Sequence, residues 1–201
     1  TARTGQHLEP RGGSVPVKQI ILAITGASGA AYAQRLAQQL VVADVHLHLV
    51  VSPHGRQLLH DELGLTSGDA ASLLGRSVPN VTDYTWRDVG ARLASGSFLT
   101  DGMLVCPCST NTLGAIASGL GDNLIQRAAA VTLKESRRLI LVPREMPLSP
   151  IDLGNALRLS QAGAVICPAC PGFYLRPTTI AELVDFVVAR IERQLQRRGR
   201  L

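Results

Sequence analysis

An apolar run followed by an arginine and a glutamate is the first feature of this sequence that could carry chemistry. The run LILVP covers residues 139–143 and is followed at once by Arg144 and Glu145. Four consecutive apolar residues bounded by proline are typical of a strand buried on both faces. Ligands of open parallel sheets bind outside the carboxyl ends of the strands, so this pair is a candidate for anion binding and proton transfer. A surface ion pair is the alternative that these residues alone leave open.

A turn of small residues, TGASGA at residues 25–30, lies between the first predicted strand and the first predicted helix. Such residues let a ligand approach the backbone, and the first amides of a helix attract phosphate. The turn is not a dinucleotide fingerprint, because GASGA lacks the full GxGxxG spacing and the second strand ends at Val51-Ser52-Pro53 without an acidic residue. We therefore predict an anion site and disfavour an NAD-dependent enzyme, although close packing alone would also explain the glycines.

A second turn, CPCSTNT at residues 106–112, has three hydroxyls and an amide at the start of a predicted helix. Helix capping requires only one or two such groups, so the others are available as ligand donors. Simple capping is the alternative. The following helical segment, DNLIQRAAAVTLKE, places Arg127 and Lys134 on one face, because they are seven residues apart. We expect Lys134, Arg144 and Arg190 to converge on a phosphate if the strand ends bring them together.

Composition excludes several classes of function. The chain of 201 residues has 46 % hydrophobic but only 3 % aromatic residues, which suits one domain with helices packed on a parallel sheet. Much of the net charge of +5 comes from arginines in the last dozen residues, without the interleaved aromatic residues of a nucleic-acid surface. No segment has the length of a membrane span, and no apolar core of the signal-peptide type precedes Ile20. We therefore expect a cytoplasmic protein that binds neither nucleic acid nor membrane.

Four cysteines form the motifs CPC and CPAC: Cys106, Cys108, Cys167 and Cys170. One CxC with one CxxC is not a zinc-finger spacing, and both motifs follow apolar runs. We predict buried, reduced thiols and no metal site.

The order of patterns predicts an α/β fold: a single domain with a doubly wound, mostly parallel sheet and helices on both faces. Residues 1–17 are expected to form a disordered arm, and residues 18–201 the domain. The interval 65–101 is predicted to be a long connection that contributes to a site or a subunit contact. The predicted strands are Gln19–Thr25, Val45–Val51, Met103–Cys106, Arg138–Val142 and Ala164–Cys167. The predicted helices are Ser28–Val41, Pro53–Leu63, Thr110–Ser118, Asn123–Glu135, Pro150–Gln161 and Ile180–Gln196.

Six ordered motifs resemble one family. TGASGA, SGSFLTDGM, CPCSTNTL, DNLIQRAAAVTLKE, LILVPREMPLS and PGFYLRP are similar, in this order, to the motifs of UbiX-type flavin prenyltransferases. The resemblance extends from Ile20 to about Leu195 and implies a Rossmann-like or flavodoxin-like sheet that binds reduced FMN. It further implies transfer of a dimethylallyl group from dimethylallyl monophosphate to N5 and C6 of the flavin. The prenylated FMN would serve a UbiD-type decarboxylase, and members assemble as dodecamers with sites at subunit interfaces.

The resemblance also implies roles for individual residues. The expected FMN contacts are Gly26, Ala27, Ser28, Ser52, Ser109, Thr110, Asn111, Thr112 and Arg144. The expected catalytic groups are Glu145, Lys134, Glu62 and Ser28. The expected contacts to the prenyl phosphate are Lys134, Arg144, Tyr174 and Arg190, with Trp86 as an aromatic wall. Cations and the tyrosine hydroxyl would stabilise the departing phosphate, and Glu145 would exchange a proton, so that no divalent metal is required.

Two other functions remain open. An FMN-dependent cysteine decarboxylase shares the fold but depends on a differently placed histidine, whereas the histidines here cluster early in the chain. Strand alternation places His46 and His48 on one face, which we expect to meet solvent or an interface. The second alternative is a non-catalytic, flavin-carrying subunit of a decarboxylase.

Overall fold

Six parallel strands and seven α-helices build the part of the chain that the computed structural model describes, residues 18–196. The predicted arm, residues 1–17, lies outside the described residues. The strands are β1 (Gln19–Ile24), β2 (His46–Val51), β3 (Val81–Tyr84), β4 (Gly102–Cys108), β5 (Arg138–Pro143) and β6 (Val165–Ile166). The helices are α1 (Ala30–Val42), α2 (Pro53–Leu63), α3 (Ala70–Leu74), α4 (Thr110–Ala117), α5 (Leu124–Lys134), α6 (Pro150–Gln161) and α7 (Ile180–Gln196).

The sheet has the strand order β3-β2-β1-β4-β5-β6, and every paired neighbour is parallel. From β1 the chain adds β2 and β3 on one side, and it then crosses to the other side of β1 to add β4, β5 and β6. This reversal opens a crevice beyond the carboxyl ends of β1 and β4, where open α/β sheets bind ligands. The doubly wound sheet predicted from the sequence is confirmed.

Strand alternation sends apolar side chains into two cores, one on each face of the sheet. Ile20, Leu22 and Ile24 of β1 pack in the core beneath α1 and α7. Ile21 and Ala23 of the same strand pack in the core beneath α4, α5 and α6. Because both faces are covered, the strands read as continuous apolar runs, which is why the sequence located most of them.

The interval 65–101 was predicted as one long connection, and this is wrong in part, because it contains α3 and β3. Helix α3 has five residues, too few to show a helical period. Strand β3 has the sequence VTDY and lies at the edge of the sheet, so it is only partly buried and lacks an apolar run. With β3 the order is that of a Rossmann sheet; without it, the remaining five strands have the flavodoxin order.

The segment after β3 folds back over β2 and buries His48, which is 1 % exposed. Its Nε2 lies 2.8 Å from the Gln19 side-chain oxygen, and its Nδ1 lies 3.2 Å from the Tyr84 hydroxyl. Burial, with smaller contributions from His46 and Arg92, lowers the pKa of His48 to about 4. The prediction that this histidine meets solvent or an interface is therefore wrong within the single chain.

No helix within residues 18–196 is long and apolar enough to cross a membrane.

Gly55 in the first turn of α2 tests how tightly this helix packs on β1. A Cβ at this position would collide with the carbonyl oxygen of Ile24, whereas a Cβ on Gly154 of α6 would meet nothing within 4 Å. We expect Gly55→Ala to lower the free energy of unfolding by about 1–3 kcal/mol through overpacking. Gly154→Ala, the matched helical control, should raise it by roughly 0.5–1 kcal/mol. Urea denaturation measures both, and equal effects would contradict the packing argument.

Candidate functional site

The turns after β1 and β4 are joined by the hydroxyl of Thr25. This buried group donates to the carbonyl of Pro107 at 2.9 Å and accepts from the amide of Ser109 at 2.8 Å. Strand β4 continues past its predicted end at Cys106 through a register shift between Val105 and Cys108. Proline is tolerated in a central strand at such an irregularity, and here Pro107 turns its carbonyl toward Thr25. The two predicted ligand turns are therefore one structural unit.

The start of α4 retains amides that can bind an anion. The Ser109 hydroxyl caps the amide of Thr112 at 3.2 Å, and the two hydroxyls lie 3.0 Å apart. The amides of Thr110 and Asn111 have no hydrogen-bond acceptor among the described residues. Ser52 similarly caps α2 by accepting from the amide of Gly55. Simple capping thus accounts for Ser52 and Ser109 but leaves two donors at α4 for a ligand.

The start of α1 differs, because a carboxylate of the protein already occupies it. Glu62 of α2 accepts from the amides of Gly29 and Ala30, at 3.0 and 2.8 Å from its Oε2. Burial acts to raise the pKa of Glu62, but hydrogen bonds from Ser28, Ala30 and Gly29, with the nearby Arg144, outweigh it and lower the pKa. The expectation that this helix start binds a phosphate is therefore wrong for these two amides. An internal anion balances the helix dipole instead.

Arg144 and Glu145 lie beyond the carboxyl end of β5, as the sequence predicted. Arg144 is half-buried, and its Nε donates to the carbonyl oxygen of Ser28 at 3.0 Å. Glu145 is exposed and accepts only from the amide of Met146, at 3.1 Å, among the described residues. No ion pair joins the two side chains in the described part of the chain. The alternative of a simple surface ion pair is therefore not supported.

A third group of residues follows β6. The exposed ring of Tyr174 meets Phe186 of α7 edge to face, with ring centroids 5.7 Å apart. Arg190 of α7 lines a cavity of about 310 Å³ together with Cys167 and Cys170. The cysteines and Tyr174 belong to the segment after β6, where the amide of Ala169 donates to the carbonyl of Pro143, the residue before Arg144.

Tyr32, which the sequence reasoning missed, lies at the centre of these groups. It packs in the first turn of α1, where a Cβ on Gly29 would approach its ring to 2.9 Å. Burial is the main reason that the pKa of its hydroxyl is raised; Cys106 and Cys170 add to the effect and Arg144 opposes it. The available signal was an aromatic residue directly after the glycine turn, in a chain with few aromatics.

One predicted site residue, Lys134, is not brought to this edge. Lys134 ends α5, next to the start of β5, and its Nζ lies 3.7 Å from Glu135. The six residue steps from Arg138 to Arg144 span roughly 20 Å at about 3.3 Å each, so Lys134 cannot meet Arg144 within one chain. Trp86, by contrast, follows the carboxyl end of β3, an outer strand of the same parallel sheet. It packs on the core beneath α4 and α5, and its carbonyl accepts from the amide of Leu124.

Within residues 18–196, no cluster of three histidine, cysteine or acidic residues could hold a metal ion. The potential ligand groups are instead backbone amides, hydroxyls and guanidinium groups at the crevice of a doubly wound sheet. This combination defines a protein that binds a phosphate-bearing cofactor at the carboxyl edge of its sheet.

Comparisons with known proteins agree with this class. The family model described as Flavoprotein matches residues 10–192. The flavin prenyltransferase UbiX of Pseudomonas aeruginosa is 44 % identical over 182 residues, with 87 % of each chain covered. A crystal structure of a UbiX protein (PadA1) with FMN and dimethylallyl pyrophosphate is 39 % identical, has a TM-score of 0.82, and covers 90 % of this chain and 93 % of that one.

A dodecameric, FMN-dependent UbiX-like decarboxylase from Escherichia coli O157:H7 is 41 % identical, with a TM-score of 0.81. Its alignment covers 91 % of this chain and 100 % of that one. The chain therefore belongs to the Flavoprotein family and, within it, to the UbiX-type flavin prenyltransferases.

The contact between Glu62 and α1 predicts a particular pH dependence of stability. The pKa of Glu62 is lowered in the folded state, so its charged form stabilises the fold at neutral pH, and this contribution is lost as the pH falls through the folded pKa. We expect Glu62→Gln to be less stable than the wild type at pH 7, and the difference to shrink below about pH 4.

Urea denaturation across this pH range measures the difference. Asp61→Asn, at the preceding position of α2, removes the same charge but leaves the α1 amides covered, and should have a smaller effect at pH 7. A Glu62→Gln deficit that is independent of pH would contradict the assignment.

Proposed function

We propose that this protein transfers a dimethylallyl group from a prenyl phosphate to reduced FMN. The observation that carries the proposal is the position of Arg144: it contacts the β1–α1 turn and lies near Tyr32, as does Cys170 of the segment that leads to Tyr174. A cation at this junction can contact both a flavin and a prenyl phosphate. Relatives named flavin prenyltransferases support the same reaction.

The residues present fit FMN. The unpaired amides of Thr110 and Asn111, with the hydroxyl of Thr112, would hold its phosphate. Gly26, Ala27 and Ser28 would lie along the flavin, and Gly26 has no room for a side chain, because a Cβ there would come to 2.5 Å from the Cβ of His54. Ser52, at the start of α2, borders the same turn. Reduced FMN supplies the nucleophilic atoms N5 and C6 that accept the prenyl group.

The residues around the proposed prenyl phosphate carry the charge that the reaction requires. Breaking the allylic C–O bond leaves negative charge on the phosphate, and Arg144, Arg190 and the Tyr174 hydroxyl would stabilise it as it develops. Glu145 is exposed and free of an ion pair among the described residues, so it is available to move a proton between the phosphate and the flavin. Ser28 and Glu62 would position the flavin for this proton transfer.

The prenyl donor is proposed to be dimethylallyl monophosphate, as the family resemblance implies. Two guanidinium groups suit the charge of a monophosphate without a metal ion. The similar UbiX protein was crystallised with dimethylallyl pyrophosphate. The assay below therefore compares the two donors.

The active site is proposed to be shared between copies of the chain in a homo-oligomer, a dodecamer by analogy with the UbiX-like structure. Lys134 cannot reach Arg144 within one chain, so its contribution to the phosphate would come from a neighbouring copy.

Helix α6 exposes Ile151, Leu153 and Leu157 by 54 to 75 % and Met146 before it by 87 %, a patch suited to a subunit contact. Trp86 would serve as an aromatic wall in this assembly. A UbiD-type decarboxylase is proposed to receive the product.

Anaerobic incubation with reduced FMN and dimethylallyl monophosphate tests the reaction. We expect the released flavin to gain the mass of one C5 unit, and to gain it more slowly with the pyrophosphate.

Glu145→Gln should still bind FMN but lose about 10²–10⁴-fold in rate, the range for removal of a general acid or base. Undiminished turnover would remove Glu145 from the mechanism. Unchanged FMN with the wild type would contradict the proposal, and decarboxylation of a cysteine substrate would favour the alternative enzyme.

Mixed oligomers test whether the site is shared. Lys134→Ala and Glu145→Gln should each be nearly inactive alone. If the two residues act in one site from different copies, about a quarter of sites in a randomly mixed symmetric oligomer should regain both wild-type residues. Mixing Glu145→Gln with Arg144→Ala is the matched control and should restore nothing, because both residues lie at the same edge of one chain. Equal behaviour of the two mixtures would contradict a shared site.

A further inference from the structure

Two cysteines of the CPAC motif lie at the end of β6 and have no role in the proposed reaction. The backbone there is held against β5: the amide of Cys167 donates to the carbonyl of Leu141 at 2.8 Å, and that of Ala169 to the carbonyl of Pro143 at 3.1 Å. The chain then folds back, with the amide of Cys170 donating to the carbonyl of Pro168 at 2.8 Å. This is the hydrogen bond of a three-residue turn, which brings the chain after Ala169 back toward the strand.

The two cysteines line one cavity but differ in access. Both contribute to the cavity of about 310 Å³ that Arg190 and Phe186 also line. Cys170 is exposed, whereas Cys167 is half-buried. Cys106 and Cys108 are fully buried in β4. The prediction that all four thiols are buried is therefore wrong for Cys170, and only the CPAC pair combines an accessible thiol with a second one in the same cavity.

We propose that Cys167 and Cys170 form a reversible dithiol site that reacts with small anionic disulfides of the glutathione disulfide class. The Cys170 thiolate attacks one sulfur of the small disulfide, which breaks that S–S bond and releases one small thiol. The Cys167 thiol then loses its proton and attacks the sulfur of Cys170. This second exchange releases the other small thiol and leaves a Cys167–Cys170 disulfide.

The electrostatics of the cavity agree with this order of attack. Burial raises the pKa of the Cys167 thiol, Arg190 opposes the shift and Cys170 adds to it. Cys167 is thus a poor first nucleophile and is suited to the resolving step, which is intramolecular. The guanidinium of Arg190 at the same cavity attracts a disulfide reagent that carries carboxylates.

Oxidation would affect the proposed prenyl transfer, and this consequence rests on the proposed function. The cysteines precede Tyr174 by a few residues and share their cavity with Arg190. A disulfide would fix this segment and narrow the space beside the proposed prenyl phosphate. Helix α4, which carries the proposed FMN phosphate contacts, packs on the opposite face of the sheet from α7, so these contacts would remain intact.

Intact-mass measurement after incubation with glutathione disulfide, with free thiols alkylated afterwards, tests the site. We expect the wild type to lose two hydrogen atoms, to carry no adduct, and to recover both thiols on reduction. Cys167→Ser should instead keep one glutathione on Cys170, because the resolving thiol is missing. Cys170→Ser, the matched control, should remain unmodified. A stable glutathione adduct on the wild type, a disulfide that includes Cys106 or Cys108, or no reaction would each overturn the proposal.

A second measurement separates this proposal from the function on which its consequence rests. The mass shift requires no prenyl transfer, so a disulfide in a protein that never prenylates FMN would contradict only the proposed function. In an active protein, oxidation should lower the rate of the wild type but leave FMN binding and the Cys167→Ser/Cys170→Ser double variant unaffected. Equal loss of rate in the double variant would overturn the link between the dithiol and the site.

Discussion

The turn of residues 25–29 is held from three directions, and the whole carboxyl edge depends on it. Thr25 ties it to the turn after β4, the Glu62 carboxylate covers the amides at its end, and the Arg144 guanidinium binds the carbonyl of Ser28. A turn that is to bind a ligand through its backbone requires a rigid conformation, because small residues alone would leave the turn mobile. The contacts supply that rigidity from α2, β4 and β5.

Two turns of similar composition consequently have different roles. Both precede a helix and both contain small or hydroxylated residues. At α1 the helix dipole is balanced by Glu62, whereas at α4 the amides of Thr110 and Asn111 have no acceptor among the described residues. In the proposed site the phosphate therefore binds at α4, and the α1 turn, whose dipole Glu62 already balances, forms a wall beside it. Arg144, next to Glu62 and Ser28, is then the cation proposed to contact both ligands.

The chain carries the parts of its proposed site on opposite edges of one sheet. The carboxyl edge has the two turns, Arg144 and Glu145, while Lys134 and the loop that packs a glycine, Gly96, against Glu135 lie at the amino edge. Residues at opposite edges can act in one site only if the carboxyl edge of one copy meets the amino edge of another. The exposed apolar side chains of α6 are consistent with such contacts.

Sequence alone determined most of the architecture, because buried parallel strands are continuous apolar runs and helix starts carry their own caps. It placed α2, α6 and α7 at their observed bounds and put Arg144 and Glu145 at a strand end. These signals span only a few residues. The tertiary structure decided which residues distant in the sequence are in contact. Glu62 accepts from an amide 33 residues away, and Arg144 donates to a carbonyl 116 residues away. Lys134 is separated from Arg144 by the length of β5. Periodicity and capping carry no information about such pairs, since packing of the helices on the sheet sets their distances.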